Sequence, residues 1–267
     1  MTLLQTTGRE GVSGLNKIAE VTAAFWILKI LATTLGETTG DLISQTLDLG
    51  YVVGLAITGT ALVALLFAQV RAERLHSALF WAAIVGTTTA GTEISDLMDR
   101  TLNLGYLWGS VILTVGLLAT LWVWHRRDGT LSVDPIVRRD AEIMFWVAVL
   151  FSNSLGTAFG DFLVDNLGLG YMTAAAVCTA VIAVVLVLHR ARAMNHIALF
   201  WIAFIFTRPF GATFGDLLTK PLAKGGLDLG TYWASIVCLG LMAAIILWPG
   251  LRGRDGGRLP ESPAAAK

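Results

Sequence analysis

Carboxylate side chains recur inside apolar stretches of this 267-residue chain. An aspartate follows a Phe-Trp pair four times, each time fifteen residues after the Trp. A charge at the centre of a bilayer costs about 2.5–3.5 kcal/mol even on a lenient insertion scale, so such groups mark ion or proton paths. The chemistry expected of them is proton relay or the binding of a hard cation such as Mn²⁺, Mg²⁺ or Ca²⁺. The four residues are Asp41, Asp96, Asp161 and Asp216.

Polar residues lead back from each aspartate in steps of four, which keeps them on one face of a helix. The four stripes read Asp41-Glu37-Thr33-Lys29, Asp96-Thr92-Thr88-Ile84, Asp161-Thr157-Asn153-Val149 and Asp216-Ala212-Arg208-Phe204. We interpret them as facing each other or a wet cavity. The predicted ion path comprises Glu37, Asp41, Glu93, Asp96, Asp161, Asp216, Thr33, Thr88 and Asn153. The candidate metal ligands are Glu37 and the four aspartates.

Lys29 and Arg208 are the two cations expected near the middle of the membrane. They are either members of a structural ion-pair network or internal counter-ions that tune the carboxylates. Six carboxylates against two cations leave an excess of about four negative charges if all ionise, so the cavity should hold protons or bind a cation.

The depth of the aspartates stays open in the sequence. Trp to Asp spans about 22 Å along a straight helix, which places Asp41 near the opposite interface from Trp26. The aspartates then cap the outer end of the bundle, or glycine pairs break the helices and carry them deeper. Small residues four positions apart allow close helix contact, so these pairs are predicted to serve helix packing. The pairs are Gly36/Gly40, Gly91/Ser95, Gly156/Gly160 and Gly211/Gly215.

The elements that must position these residues form an internal repeat. The Phe-Trp pairs stand at steps of 55, 65 and 55 residues, so two halves are offset by 120. The chain is 55% hydrophobic and only 14% charged, with a mean hydropathy of +0.69, whereas soluble domains carry about 25% charge. Eight apolar runs of about 20 residues are each long enough to cross a bilayer. We predict an all-α membrane protein with eight transmembrane helices, two per repeat.

Lys and Arg set the predicted orientation. The segments expected on the cytoplasmic side carry fourteen of them and the loops inside each repeat carry three, so both termini should face the cytoplasm of a bacterial inner membrane. All four repeats then run parallel, with the odd helices central and the even helices outside. The segments are a cytoplasmic leader (1–19), a first half (20–124), a cytoplasmic linker (125–142), a second half (143–248) and a disordered tail (249–267).

Further features of the sequence bear on partners and chemistry. The formal net charge is zero, which gives no reason to expect nucleic acid. Walker-type loops, zinc spacings and haem motifs are absent, so neither an enzyme nor a cofactor is expected. The expected partners are lipid, a small cation and protons, and the chain is compatible with a homo-oligomer. Asp48, Asn103 and Asp228 precede even helices and are predicted to cap them.

The four two-span units, each with one Trp of the set Trp26, Trp81, Trp146 and Trp201, resemble a bacterial membrane-protein family known by its repeat of unknown function. The resemblance covers nearly all of residues 20–248 and implies four copies of a two-helix unit. The stretch Glu37-Thr-Thr-Gly40-Asp41 is also similar to the Glu-x-Gly-Asp signature of manganese and calcium cation/proton exchangers. Here one more residue separates the glutamate from the glycine, and Leu42-Ile43 follow.

Three functional hypotheses follow. The first is an inner-membrane transporter of a small cation, above all a divalent metal such as manganese, exchanging protons at the intramembrane carboxylates. The second is a non-transporting membrane scaffold or sensor whose polar core only holds the helices together. The third is a carrier of a small organic cation or polar solute, with the nine tryptophans as a cation–π lining.

Overall fold

The computed structural model describes residues 17–136 and 138–248. The predicted leader up to residue 16 and the predicted disordered tail 249–267 lie outside the described residues. The described residues are all-helical, as predicted, and form eight α-helices, two per repeat. These helices are α1 (Ala23–Asp41), α2 (Gly50–Arg71), α3 (Ser77–Asp96), α4 (Gly105–Asp128), α5 (Arg139–Asp161), α6 (Tyr171–Arg190), α7 (His196–Thr219) and α8 (Thr231–Leu247).

Several helices are long and apolar enough to cross a bilayer. Five qualify by length and composition, namely α2, α4, α6, α7, and α5 with the turn that follows it. Helix α8 is apolar but has 17 residues. The outer faces of the even helices expose large apolar side chains, among them Val52, Val63 and Phe67. Because such continuous apolar surface is unfavourable in water, the chain is compatible with a multi-pass membrane protein.

The odd helices form a closed ring in the order α1, α3, α5, α7 and back to α1. Gly36 of α1 lies against Thr88 of α3, and Gly40 lies against Thr92 one turn later. Both pairs are offset by the same number of residues, so the two helices run parallel. The ring therefore places the odd helices at the centre and points all four repeats the same way.

Each even helix packs on the odd helix of the next repeat. Helix α2 lies on α3, α4 on α5, α6 on α7, and α8 returns to α1. The two helices of one repeat therefore pack mainly on other repeats and not on each other, and neighbouring repeats interlock. The contact of α8 with α1 closes the circle between the last repeat and the first.

Aromatic side chains join the repeats at one end of the ring, called here the Phe-Trp end. The Phe of each repeat packs on the Trp of the following repeat, so the regular spacing of the pair serves ring closure. Such tilted aromatic contacts stabilise the structure beyond the effect of the apolar area that they bury. The ring centroids lie 5.4 Å apart for Phe25–Trp81, 5.7 Å for Phe80–Trp146, 6.4 Å for Phe145–Trp201 and 5.8 Å for Phe200–Trp26.

Residues from the predicted leader and linker fold over the Phe-Trp end. Ile18, Val133 and Ile136 are buried in the same apolar cluster as the aromatic rings. A buried ion pair holds them, with Lys17 Nζ 2.6 Å from Glu142 Oε2. This end of the ring is therefore covered by chain segments that precede α1 and link the two halves.

The opposite end, called here the aspartate end, is where the odd helices finish. Helices α1, α3 and α5 each run into one turn of π-helix (Leu42–Thr46, Leu97–Thr101 and Phe162–Asn166), whereas α7 ends at Thr219 and leads into a longer loop. The prediction that Asp48 and its equivalents cap the even helices is wrong. The cap positions make no side-chain hydrogen bond, and Asp48, Asn103 and Asp228 adopt φ angles of 55–57°, a left-handed conformation that Asp and Asn tolerate.

Candidate functional site

Glycines bring the four polar stripes together. A Cβ atom on Gly36 would lie 2.0 Å from Thr88 Oγ1, and one on Gly211 would lie 2.2 Å from Thr33 Oγ1. Gly156 stands in the same way against the side chain of Arg208, and Gly91 against Asn153. Each odd helix thus presents its glycine to the residue seven positions after the Trp on the next odd helix, here Thr33, Thr88, Asn153 and Arg208.

The second glycine of three pairs repeats this contact nearer the aspartate end. Gly40 lies against Thr92, Gly160 against Ala212 and Gly215 against Glu37. Helices α1, α3, α5 and α7 continue through these positions without a break, so the alternative in which the pairs break the helices is wrong. The aspartates sit where unbroken helices end, and they are almost fully buried there.

Ser95, the second member of the pair on α3, differs from the glycines in carrying a hydroxyl group. Its hydroxyl is fully buried and donates to Asp99 Oδ2 at 3.3 Å, one turn later in the same segment. The carboxylate of Asp99 in turn lies against Gly109 of α4. Because a buried hydroxyl requires a hydrogen-bond partner, this bond orients Asp99 towards α4, and the helix-packing role of Ser95 stays a prediction.

Arg208 joins all four odd helices through one nitrogen. The two hydrogens of its Nη2 are shared among three acceptors, namely Glu37 Oε2 of α1 at 2.8 Å, Thr92 Oγ1 of α3 at 2.7 Å and Thr157 Oγ1 of α5 at 2.5 Å. The next residue of the stripe on α7 is the small Ala212. Because Arg208 is fully buried, this ion pair with Glu37 compensates a charge that would otherwise be costly.

Lys29 lies one level nearer the Phe-Trp end, also fully buried. Its Nζ donates to Asn153 Oδ1 at 3.1 Å and stands 4.0 Å from the centroid of the Phe204 ring. Asn153 in turn donates to Thr87 Oγ1. Within the described residues Lys29 has no carboxylate at ion-pair distance, so Arg208 and Lys29 differ in role.

Two further cations bridge the four aspartates in pairs. Arg100 lies 3.3 Å from Asp96 and 2.9 Å from Asp161. Lys220 lies 2.6 Å from Asp41 and 3.1 Å from Asp216. Arg100 and Lys220 are separated by 120 residues, the offset between the two halves. The aspartate end therefore has the pseudo-twofold arrangement expected of two halves.

Arg100 and Lys220 change the predicted charge balance. The hydropathy pattern places them in the loops inside the repeats, but their side chains reach into the site. Glu37 and the four aspartates therefore lie with four cations, and the predicted excess of about four negative charges is too large. Burial by itself would lower the pKa of Lys220, but the carboxylates of Asp216 and Asp41 outweigh burial and hold that pKa above its ordinary value. Lys220 is therefore a cation at neutral pH.

Three predicted path residues contact groups other than the ring carboxylates. Glu93 lies at the contact between α3 and α2, where Gly54 makes room for its carboxylate, and not among the ring carboxylates. Thr33 donates its hydroxyl to the carbonyls of Ile30 and Thr207, and Thr88 donates to carbonyls in the same way. These two hydroxyls bond to the helix backbone, and the role of Thr33 and Thr88 as path lining stays a prediction.

Three carboxylates form a compact cluster. Glu37, Asp41 and Asp216 each bring an oxygen within 4.8 Å of the others. Opposite oxygen ligands of a bound Mg²⁺ lie about 4 Å apart and those of Ca²⁺ about 5 Å apart. The spacing therefore fits a divalent cation. Asp96 and Asp161 belong to the other aspartate pair and not to this cluster, which corrects the predicted set of five ligands.

One further step of the polar stripe could have identified the missed residues. Extending each stripe four residues beyond its aspartate reaches Gln45, Arg100, Asp165 and Lys220. Gln45 donates to Asp41 Oδ1 at 2.5 Å. These residues lie past the apolar runs, so the hydropathy pattern assigned them to loops, although the helical period continues through them.

The comparison with known families agrees with the four-part organisation. No curated protein and no solved structure matches the chain. The family described as Repeat of Unknown Function (DUF347) matches four segments, residues 24–75, 79–130, 144–194 and 199–252. Each segment contains one odd helix and the even helix that follows it. Because the four segments cover most of the chain and coincide with the structural repeats, the protein belongs to this repeat family.

Proposed function

We propose that the protein transports a small cation across the bacterial inner membrane, above all a divalent metal such as manganese. The observation that carries the proposal is the cluster of Glu37, Asp41 and Asp216, whose oxygens lie within 4.8 Å of one another inside the helix ring. Carboxylate oxygens are the ligands preferred by hard divalent cations. The similarity of Glu37-Thr-Thr-Gly40-Asp41 to cation/proton exchangers points the same way.

Accessibility favours entry from the aspartate end. Arg100 and Lys220 have side-chain exposures of 33% and 20%, whereas Lys29 and Arg208 are fully buried. The Phe-Trp end is covered by the aromatic contacts and by Ile18 and its neighbours. The distribution of Lys and Arg favours both termini on the cytoplasmic side. The covered Phe-Trp end then faces the cytoplasm, and the carboxylate site is closed on that side. Protons would exchange at the carboxylates when the cation leaves.

Two other functions have specific support. The ion pair of Arg208 with Glu37 brings two buried opposite charges together and so favours a scaffold with a structural polar core. The ammonium of Lys220, held by Asp41 and Asp216, favours a carrier of small organic ammonium ions. The aromatic lining for the latter has less support, because the Trp residues of the four repeats pack on neighbouring Phe rings at the Phe-Trp end.

Flux measurements in reconstituted vesicles test the proposal. We expect E37Q, D41N and D216N each to lower Mn²⁺ flux at least about tenfold, because each removes one charged ligand from an intramembrane site. The matched control is D48N, which makes the same change at an exposed residue whose left-handed backbone Asn also tolerates. Thermal unfolding with and without Mn²⁺, Ca²⁺, Mg²⁺ and ethylammonium runs in parallel.

The outcomes separate the three functions. Flux lost in the three variants and kept in D48N supports metal transport. Unchanged flux in all three would remove the proposed site. Lower unfolding temperatures without stabilisation by any cation would instead support the scaffold, and stabilisation by ethylammonium alone would support the organic-cation carrier.

A further inference from the structure

We infer that Lys220 is a tethered competitor that occupies the cation site until a substrate cation displaces its ammonium group. This inference rests on the proposed function and concerns the same three carboxylates. It assigns Lys220 a role in regulating affinity, in addition to any role in holding helices together.

The first step is geometric. Lys220 Nζ lies 2.6 Å from Asp41 Oδ2 and 3.1 Å from Asp216 Oδ1. Those aspartates are two of the three carboxylates whose oxygens lie within 4.8 Å of each other. A divalent ion bound to this cluster would need the same carboxylates, because carboxylates bind such ions directly. The ammonium and the ion therefore compete for one place.

The second step is the difference between Lys220 and its counterpart in the first half. Arg100 is braced beyond its two aspartates, since it donates to the Tyr51 hydroxyl and stands 5.8 Å from the Tyr106 ring. Besides Asp41 and Asp216, Lys220 has a further hydrogen bond of 3.4 Å to Gln45. A flexible lysine held by fewer groups exchanges more readily than a braced guanidinium.

The third step is the loop that carries Lys220. Nine positions separate the aspartate from the glycine before the even helix in the first three repeats, and fourteen separate Asp216 from Gly230. The longer loop folds back on the end of α7, where Asp228 N donates to Lys220 O at 3.0 Å and Gly226 packs on that carbonyl. The backbone of Lys220 is thereby anchored, so its side chain can leave the carboxylates and return.

The third carboxylate makes the two aspartate pairs unequal. Glu37 joins the pair held by Lys220, whereas Asp96 and Asp161 have Arg100 between them. The cluster that best fits a divalent ion is therefore the one closed by the less braced cation. The long loop, the lysine and the extra carboxylate all occur on the same side of the ring.

Direct binding of Mn²⁺ to the purified full-length protein tests the inference by isothermal titration calorimetry. K220Q should bind Mn²⁺ at least about tenfold more tightly than the wild type, because it removes a unit charge within about 4 Å of the ion. The matched control is K224Q, which removes an exposed lysine from the same loop and should leave affinity unchanged. The double variant D41N/K220Q should lose the gain.

Each result has a separate meaning. If the wild type binds Mn²⁺ and K220Q binds it equally or less tightly, the competitor role is overturned while the proposed function stands. If K220Q fails to fold, K220M provides the same removal of charge and the same expectation. If neither the wild type nor the folded variants bind Mn²⁺, the metal site and the inference that rests on it both fail.

Discussion

At the scale of residues, the site is built from breaks in a fourfold pattern. The position seven residues after each Trp holds Thr33, Thr88, Asn153 or Arg208, and only the last is charged. Its guanidinium pairs with Glu37, the one acidic residue at the next level of the ring. Both residues are buried, so each depends on the other for charge compensation. The unique residues of different repeats therefore act together.

R208Q should lower the free energy of unfolding by about 3–5 kcal/mol, because Glu37 would be left buried without its partner. The variant E37Q/R208Q should lose less than the sum of the two single variants. Chemical unfolding of the purified protein in detergent micelles measures all three, and R190Q serves as a control at an exposed arginine. Additive losses within about 0.5 kcal/mol would show that the two residues are not coupled.

At the scale of elements, close approach of the odd helices decides the architecture. Glycines at the contact points let α1 approach α3 and let α7 approach α1. A larger side chain at these points would collide with the neighbouring helix. The even helices offer apolar faces outward. Small residues at helix contacts are favoured in membranes, where packing takes over from the hydrophobic effect between helices.

G36A should destabilise the protein, because its Cβ would lie 2.0 Å from Thr88 Oγ1 and 3.0 Å from a backbone carbon of Thr88. Overpacking of this kind costs about 1–3 kcal/mol. The control G240A places a Cβ with nothing within 4 Å and should stabilise α8 by up to about 1 kcal/mol, since Ala favours helix more than Gly does. Thermal unfolding in detergent compares them, and a shift of the same sign in both would contradict the packing argument.

At the scale of the whole molecule, the repeats form a circle rather than a row. Each even helix packs on the following repeat, so the fourth repeat must return to the first. Helix α8 meets α1 where Ser235 Oγ lies 2.8 Å from Thr38 Oγ1, and Thr46 and Thr231 meet in the same way. A chain with three repeats would leave the buried polar face of α1 uncovered.

A disulfide between T38C and S235C should form readily, because the two oxygens are 2.8 Å apart and an S–S bond needs about 2.05 Å. The experiment uses a background in which Cys178 and Cys238, both free and buried, are replaced by Ala. A protease site inserted after Gly129 then cuts the chain between its halves.

Ring closure predicts that the two fragments stay joined on a non-reducing gel and separate on reduction. The pair T38C/T179C is the control, since Thr179 lies in the second fragment on α6, which packs on α7. Equal cross-linking in both pairs, or none in T38C/S235C, would contradict the closed arrangement.

Much of the organisation follows from local pattern. Apolar length, the four-residue step and the Phe-Trp spacing predict eight helices, four parallel repeats and a buried polar stripe, because helix period and hydropathy are properties of neighbouring residues. The stripe also identifies Glu37, Asp41 and Asp216 as candidate ligands. It does not separate them from Asp96 and Asp161, since the four copies are nearly equivalent along the chain.

Only the tertiary structure decided which charges meet. Glu37 and Arg208 are 171 residues apart, and Lys220 reaches an aspartate 179 residues earlier in the chain. Such pairs depend on the ring closing between α7 and α1, and on even helices crossing to the next repeat. By itself the sequence determined the parts, the repeat and the polar faces. Contacts between helices determined which carboxylates Arg208, Arg100 and Lys220 neutralise. They also determined the exclusion of Glu93 from the cluster, because such contacts join residues distant in the chain.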